Sequence, residues 1–390
     1  MSWPTVKISE LCEILDNKRK PITKKNRIEG PYPYYGATGI LDYVEGYLFD
    51  EDLVLIGEDG AKWGSGDNSA FAITGKTWVN NHAHVVKPFR DKILDSWLIY
   101  FLNGEDLFDF ITGMTVPKLN QGKLKEIPVP LPPITEQKRI VSVLDTVFAD
   151  LEQTRVKTEQ NLKNARELFD SYLQQVFSQK GEGWEDKRLE DVLLDKPRNG
   201  WSPPAKNHSD NGIPVLTLSA VTGFKFNKHK VKFTSAATKM NAHYWVNNGD
   251  LLITRSNTPV LVGHVAICSN IEIPTIYPDL IMKLKLDIDK VDSKFIYYQL
   301  RSERLRKIIT SSAQGANPTM KKINQGIVQS LPIRYPSIEI QKEIAFKLDS
   351  ISEATIQLEE NYQNKLDSLN ELKKSILQKA FSGELTNTAE

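Results

Sequence analysis

Four short motifs carry side chains that could act together at a catalytic or metal site. Asn80–His84 contains two imidazoles two residues apart, which could form a metal pair, but no Cys or acid lies beside them. Two histidines in such a run more commonly serve as hydrogen-bond donors on a strand. Asp279 with Asp292–Lys294 imitates the two acids and lysine of a metal nuclease, although a turn followed by a helix start explains the same residues.

The other two motifs resemble nucleotide-handling loops but lack their key residues. Ser202–Ala205 is the string nearest to the Asn/Asp-Pro-Pro-aromatic motif of adenine methyltransferases, and it lacks the aromatic residue. Ala70–Thr77 ends like a phosphate loop, but alanine replaces its first glycine and its interior is strand-like. We therefore predict no catalytic residue, no metal site and no cofactor.

A different chemistry is offered by basic side chains interleaved with amides and hydroxyls, the mixture needed for phosphate contact and base reading. In the second half of the chain, Arg255 and Asn257 follow an apolar run that predicts a buried strand, and their side chains can read guanine and adenine. An ion pair between Arg255 and Asp250, or another acid, is the alternative. The candidate DNA contacts in this half are Arg255, Asn257, Thr258, Lys225, Lys228 and Lys230, the lysines for phosphate.

The first half offers a basic loop that also contains proline and asparagine. Tyr34 and Tyr35 could belong to the core just as well as to a DNA-binding surface, and Asn120 and Asn324 could be structural turns or DNA contacts. The candidate phosphate contacts are Lys18, Arg19, Lys20, Lys24 and Lys25, and the weaker groove candidates are Tyr34, Tyr35, Lys62 and Trp63.

The overall composition excludes several protein classes. The chain has 390 residues, 40% of them hydrophobic and 25% charged, which is too apolar for disorder and allows two or three domains. Two cysteines cannot form a disulfide framework, and no apolar stretch is long enough to span a membrane. The first residues lack the apolar segment of a signal peptide. These features predict a soluble cytoplasmic protein.

The net charge of +1 hides a difference between segments. Residues 1–112 hold 12 basic and 17 acidic side chains, whereas residues 184–311 hold 19 basic and 13 acidic ones. The second segment therefore favours nucleic acid, and the first argues mildly against it.

An internal repeat divides the chain into the order A–B–A′–B′. Asn120–Gly122 recurs as Asn324–Gly326, and matches continue to Ser178 and Ser382 at a constant offset of 204 residues. The preceding A segments correspond more loosely, because their offset drifts from 181 to 198. A period this long indicates duplicated domains.

The B segments have the pattern of long amphipathic helices. Ile140, Leu144 and Leu151 fall on one stripe, and no proline occurs between Thr135 and Gln179 or between Ser337 and Gly383. We predict helices of about 45 residues, with Thr135 and Ser337 as N-caps, that pack on each other. Two separate amphipathic helices packed on their own domains are the alternative. Short β-like runs followed by a closing helix predict that each A segment is an α+β domain with a curled sheet.

The repeated strings resemble the specificity (S) subunits of type I restriction–modification systems, the HsdS family. They combine an Asn, an Ile-Pro, a Leu-Pro-Pro and a Glu-Gln that opens the helix, within Leu119–Ile140. Ile323–Ile333 carries the start of the pattern, but Arg334–Ser337 and Ile340 depart from it. Phe177–Ser178, Phe381–Leu385, Glu51–Gly57 and Gly249–Arg255 also fit.

The resemblance implies a non-catalytic DNA-recognition subunit with a pseudo-twofold internal repeat. Two α/β target-recognition domains, 1–117 and 184–320, would each read one half of a split double-stranded DNA site. Helical segments 118–183 and 321–390 would pair as a long antiparallel coiled coil, set the half-site spacing and dock two methyltransferase (M) subunits, which restriction (R) subunits join. A coiled-coil scaffold with protein-binding domains is the alternative.

Overall fold

The chain folds as two compact units that share its two longest helices. A computed structural model describes residues 3–178, 181, 183–317 and 319–386. Unit 1 comprises Met1–Asn161 and Asn361–Glu390, and unit 2 comprises Leu162–Glu360. Among the described residues, no helix is both long and apolar enough to cross a bilayer. Cys12 and Cys268 are buried free thiols.

Unit 1 is built on a four-stranded antiparallel sheet whose central strand is hidden on both faces, because the run Leu-Val-Leu-Ile-Gly is apolar at successive positions. Its order is β2-β9-β6-β7, and a second sheet has the order β4-β3-β8-β5. The elements are β1 Thr5–Lys7, α1 Ile8–Leu11, β2 Cys12–Ile14, β3 Glu29–Gly36, β4 Gly39–Val44, β5 Phe49–Asp50, β6 Leu53–Gly57, β7 Ala70–Ile73, β8 Lys76–Val79, β9 Ala83–Pro88, α2 Asp95–Gly104, α3 Gln121–Glu126 and β10 Pro128–Pro130.

Unit 2 has the same central arrangement, a sheet of order β12-β19-β16-β18 with β16 fully buried. A three-stranded sheet, β13-β15-β14, lies beside it in place of the second sheet of unit 1. The elements are β11 Glu185–Arg188, β12 Arg198–Asn199, β13 His208–Ser209, β14 Ile213–Leu216, β15 Val231–Thr234, β16 Leu251–Thr254, β17 Ser256–Asn257, β18 Val265–Ile267, β19 Ile281–Leu284, α5 Ser293–Arg301, α6 Glu303–Ser312, β20 Lys321–Lys322, α7 Gln325–Gln329 and β21 Pro332–Tyr335.

The two longest helices, α4 Ile134–Ser178 and α8 Ile338–Ser382, each contain 45 residues and are offset by the 204 residues of the sequence repeat. The predicted N-cap at Thr135 is wrong, because α4 already begins at Ile134, directly after Pro133. Ser337 does precede α8. Gly383 follows α8 with φ of 82°, the left-handed conformation that glycine adopts after a helix end.

In each unit, a buried glutamine at the equivalent position of the long helix bonds to the segment that precedes the closing helix, α2 or α5. The Gln137 amide, with no exposed surface, accepts from the Leu94 N–H at 2.9 Å and donates to the Lys92 carbonyl at 2.9 Å. A tyrosine hydroxyl also donates to an aspartate of the long helix in both units. The equivalent bonds of unit 2 join Gln341 to Asp292 and Lys290, and the tyrosine pairs are Tyr100–Asp145 and Tyr298–Asp349.

Candidate nucleic-acid interface

The residue that follows the central strand has opposite charge in the two units. The Leu119 N–H donates to the Glu58 carbonyl at 2.8 Å in unit 1, and the Ile323 N–H donates to the Arg255 carbonyl at 2.9 Å in unit 2. Because Leu119 and Ile323 are related by the 204-residue repeat, Glu58 and Arg255 occupy equivalent positions. The strand end is therefore acidic in one copy and basic in the other.

In unit 2, the Arg255 side chain is half-buried and has no carboxylate partner among the described residues. Its guanidinium makes a long contact of 3.4 Å to the backbone carbonyl of Asp279. Asp250, the alternative partner in the sequence, instead pairs with Lys283 at 2.8 Å. Because Asn257 is half-buried and Thr258 exposed beside it, the strand end presents a cation, an amide and a hydroxyl together.

Strand pairing brings two further lysines to this strand end that sequence reasoning missed. β17 pairs with β20, so that Asn257 lies opposite Lys321 and Ser256 opposite Lys322. The Lys321 ammonium donates to the Gly315 carbonyl at 2.7 Å, while Lys322 is exposed. The sequence repeat could have indicated this lysine, because Lys118 of unit 1 is the counterpart of Lys322. The backbone of Lys118 pairs with that of Asp59, which is the counterpart of Ser256. We call Arg255, Asn257, Thr258, Lys321 and Lys322 the unit 2 tip.

The other predicted lysines of unit 2 lie in a separate loop. Lys225 and Lys228 line a cleft of about 480 Å³ together with Asn227 and Asn270. The Lys228 ammonium is 2.9 Å from the Glu272 carboxylate, whereas Lys225 and Lys230 are exposed. Of the three, Lys225 and Lys230 are therefore the more available for phosphate.

This loop is anchored by Phe224, a non-glycine residue with φ of 60°. Its ring stacks on the His264 imidazole at 4.0 Å, and the Tyr297 hydroxyl donates to its carbonyl. His264 Nδ1 accepts from the Gly223 N–H, so the ring is neutral. Consistent with this, burial and then the charge of Arg306 lower the pKa of His264 to about 4.

In unit 1, the predicted basic loop is exposed at Lys18, Lys20, Lys24 and Lys25. Two aromatic side chains hold its backbone in place. The Tyr34 hydroxyl accepts from the Ile22 N–H at 2.9 Å, and the Trp78 indole donates to the Lys20 carbonyl at 2.6 Å.

The remaining candidates of unit 1 differ in exposure. Tyr34 is 1% exposed and Trp63 is 4% exposed, with its indole donating to the Gly57 carbonyl, so neither side chain presents a surface to DNA. Tyr35 is half-buried against Phe71, and Lys62 is exposed. The core alternative for Tyr34 is the one that the structure adopts.

Arg19 points away from the exposed face of the loop into a buried ionic cluster. Its guanidinium pairs with Glu58 and lies 3.4 Å from Asp16. The Lys118 ammonium is 2.9 Å from Glu58. His84 completes the cluster, with Nδ1 at 2.6 Å from the Asp16 carboxylate and Nε2 at 2.7 Å from the Leu119 carbonyl.

This cluster is better described as an ion-pair network than as a metal site. Asp16, Glu58 and His84 offer ligand atoms within 4.8 Å of one another. Both His84 nitrogens face oxygen acceptors, however, so the ring donates two hydrogen bonds and directs no lone pair at the cluster. Burial alone would raise the pKa of Asp16 and of Glu58, but hydrogen bonds from His84 and Arg19, respectively, lower both.

The residues that imitate a nuclease are not brought together as one site. Asp292 caps α5 by accepting from the Phe295 N–H at 2.9 Å, and Lys294 pairs with Asp349 at 2.5 Å. Asp279 instead bonds to Ser202. The amides of Asn120 and Asn324 cap α3 and α7, which is the structural alternative for both.

Comparisons with known proteins point to one family over nearly the whole chain. The family described as "Type I restriction modification DNA specificity domain" matches residues 1–161 and 181–368. The chain is 25% identical to the type I restriction enzyme EcoKI specificity subunit of Escherichia coli, over 86% of this chain and 75% of that one. It is 23% identical to the MjaVIII specificity subunit of Methanocaldococcus jannaschii, over 98% and 93%.

A shorter and more similar match is a putative type I specificity subunit of Haemophilus influenzae, 39% identical over 36% of each chain. Among solved structures, a chain of a type I R-M system aligns with a TM-score of 0.74 and 19% identity, covering 98% of both chains. The HsdS subunit from Thermoanaerobacter tengcongensis aligns with a TM-score of 0.60 and 20% identity, over 98% of this chain and 97% of that one. These structural matches show a shared fold.

Proposed function

The chain belongs to the type I restriction modification DNA specificity family, and we propose that it is the DNA-recognition subunit of a type I restriction–modification complex. Its curated relatives are specificity subunits, a class distinct from the catalytic subunits. In this proposal, target-recognition domains 1–117 and 184–320 each read one half of a bipartite site in double-stranded DNA in the cytoplasm.

The observation that carries the proposal is the duplication of one architecture with two different strand ends. In both units the central strand, β6 or β16, is followed by a residue whose carbonyl accepts a hydrogen bond from the segment that leads to the long helix. At the strand end, Arg255 is half-buried in unit 2, whereas Glu58 is buried in the ionic cluster of unit 1, so the groups left exposed beside the two strand ends differ. Two different readers favour an asymmetric site, because base identity is read by such groups.

We further propose that α4 and α8 form an antiparallel pair that sets the distance between half-sites. Within unit 1, the Lys373 ammonium lies 5.7 Å from the centre of the Phe148 ring. Within unit 2, the Arg166 guanidinium is 3.2 Å from the Glu359 carboxylate. The later residue of α4 thus contacts the earlier residue of α8, which supports antiparallel pairing. Segments 118–183 and 321–390 would serve as the spacer and dock two methyltransferase subunits, to which restriction subunits bind.

Methylome sequencing tests the function directly. Cells that carry the gene should show adenine methylation at one bipartite motif with an unspecified gap, and cells without the gene should lose that motif. An unchanged methylation pattern after deletion would contradict the proposal. Equal affinity of the assembled complex for all DNA sequences would favour the scaffold alternative.

A substitution at the unit 2 tip tests which half-site this unit reads. Arg255→Ala should weaken binding to the cognate site about 5- to 150-fold, because a bidentate base contact contributes about 1–3 kcal/mol of discrimination. The loss should be confined to one half-site, as measured by fluorescence anisotropy of the assembled methyltransferase on duplexes with single base changes.

Lys322→Ala is the matched control, because Lys322 is an exposed cation opposite Ser256 in the same pair of strands. It should weaken binding to all sequences alike and reduce the salt dependence by about one phosphate contact. An Arg255→Ala complex that keeps its full preference at both half-sites would show that another residue reads the bases.

A further inference from the structure

Unit 1 contains an open cleft of about 980 Å³ between its α+β domain and the long helices α4 and α8. One wall is the loop Gly64–Asn68, which carries little side-chain volume. The opposite wall consists of α4 and α8 residues, among them Phe148, Asn370 and Lys373, and α2 contributes Tyr100 and Asn103.

The equivalent place in unit 2 is filled by the chain itself. When the strands and helices of the two units are matched, three residues of unit 1 correspond to three residues of unit 2. Asn103 is equivalent to Arg301, Ser69 to His264 and Lys373 to Phe169. The Arg301 guanidinium lies over the Phe169 ring at 4.6 Å and over the Phe224 ring at 5.1 Å. The Phe224 ring also stacks on His264, so an aromatic side chain occupies this position.

The smaller residues of unit 1 leave this position open. The Asn103 amide turns inward and bonds to the backbone of Ala70, accepting at 2.8 Å and donating at 3.0 Å. Ser69 is buried and donates to the Leu102 carbonyl. Tyr100 and Phe148 line the cleft as half-buried rings that meet edge to face, with their centroids 5.4 Å apart.

The charged side chains of the cleft differ in whether they already have an ion-pair partner. Glu152 already pairs with Arg155, and Lys374 with Glu371. Lys373 contacts the Phe148 ring, and among the described residues it has no carboxylate within ion-pair distance. An occupant that carries a carboxylate next to an aromatic ring would pair with the Lys373 ammonium and pack against Tyr100 and Phe148.

We infer that the unit 1 cleft binds a segment of a methyltransferase subunit that inserts an aromatic side chain flanked by an acidic residue. This inference rests on the proposed function. In unit 2, Phe224 takes the place of the partner's ring, so the two methyltransferase subunits bind through unequal contacts.

Native mass spectrometry of the full chain with its own methyltransferase subunit tests this. The exposed Asn370 is changed to Trp to fill the cleft, and Lys373→Glu reverses its charge without adding bulk. We expect the wild-type chain to bind two methyltransferase subunits. Both variants should bind one at the same concentration, with at least a 10-fold loss of affinity at the second site. Ser368→Trp is the matched control on an exposed position of the same helix, and it should retain two.

The outcomes separate this inference from the function on which it rests. Variants N370W and K373E that bind two subunits with wild-type affinity would overturn the cleft assignment and leave the proposed function standing. Self-association of the wild-type chain that N370W abolishes would overturn the assignment too, because the occupant would then be a second copy. A wild-type chain that binds no methyltransferase subunit would contradict both.

Discussion

Lengthening both long helices by about one turn should lengthen the unspecified gap of the methylated motif and leave both half-sites unchanged. Four residues with high helix propensity inserted after Asn161 and after Glu360 fall where unit 1 and unit 2 divide. They add about 6 Å at 1.5 Å per residue. Since base pairs are stacked about 3.4 Å apart, the gap should grow by about two base pairs. Sequencing of methylated adenines in cells that express the variant measures this.

Two control variants define what the insertion tests. Inserting the same residues in α4 alone should abolish methylation, because the opposing residues of α8 would lose their register. Inserting them beside Met114, a fully exposed residue of unit 1, should leave the gap unchanged. If the double insertion produced methylation at the original gap, the helices would not set the half-site spacing.

The long helices could be predicted from the sequence because their information is local. A stripe of apolar residues without proline is sufficient to specify an amphipathic helix, and the repeat gave the pattern twice. The structure has two helices of 45 residues, the length predicted. The strands β6 and β16 were also predictable, since each is a largely apolar run between turn residues, and the apolar pair Val85–Val86 marked β9. The family resemblance, which rested on the repeated motifs, is confirmed by the family match.

The candidate site was less predictable because it depends on contacts between distant residues. Arg19 looks like its lysine neighbours in sequence, yet it pairs with Glu58, 39 residues away. Tyr34 carries a hydroxyl suited to DNA, but that hydroxyl bonds to the Ile22 backbone inside the unit. The β17–β20 pairing that adds Lys321 and Lys322 joins segments about 65 residues apart, and short polar strands carry no periodic signal.

The exchange of Glu58 for Arg255 also has a structural consequence within unit 1. An acid at the strand end lets Arg19 and His84 form a buried network, to which the more exposed Lys118 adds an ion pair with Glu58. The position equivalent to His84 in unit 2 is the buried, apolar Met282. The network joins the basic loop to the segment that enters the helical region, because the Gln121 amide also donates to Asp16 at 3.0 Å. We expect it to fix the conformation of that loop.

Asp16→Asn should therefore destabilise unit 1 by about 3–5 kcal/mol, because it removes the buried carboxylate charge that faces Arg19 and His84. Hydrogen exchange measured by mass spectrometry localises the effect: peptides from β2, β6 and β9 should exchange faster, and peptides from β16 and β19 should be unchanged. Glu126→Ala removes a carboxylate from the exposed pair with Lys7, and it should leave the exchange of all these peptides unchanged. Equal exchange in wild type and Asp16→Asn would show that the network contributes no stability.

The same network predicts a pH dependence whose sign follows from the lowered pKa of Asp16 and of Glu58. A carboxylate with a lower pKa in the folded state stabilises the fold above its unfolded pKa of about 4, and this stabilisation is lost as the pH falls through the folded value. Wild-type unit 1 should therefore lose protection in exchange experiments as the pH falls below about 4. Asp16→Asn should lose less over the same range, because one of the two titrating carboxylates is absent. A variant with the same acid-induced loss as the wild type would place the responsible groups outside this network.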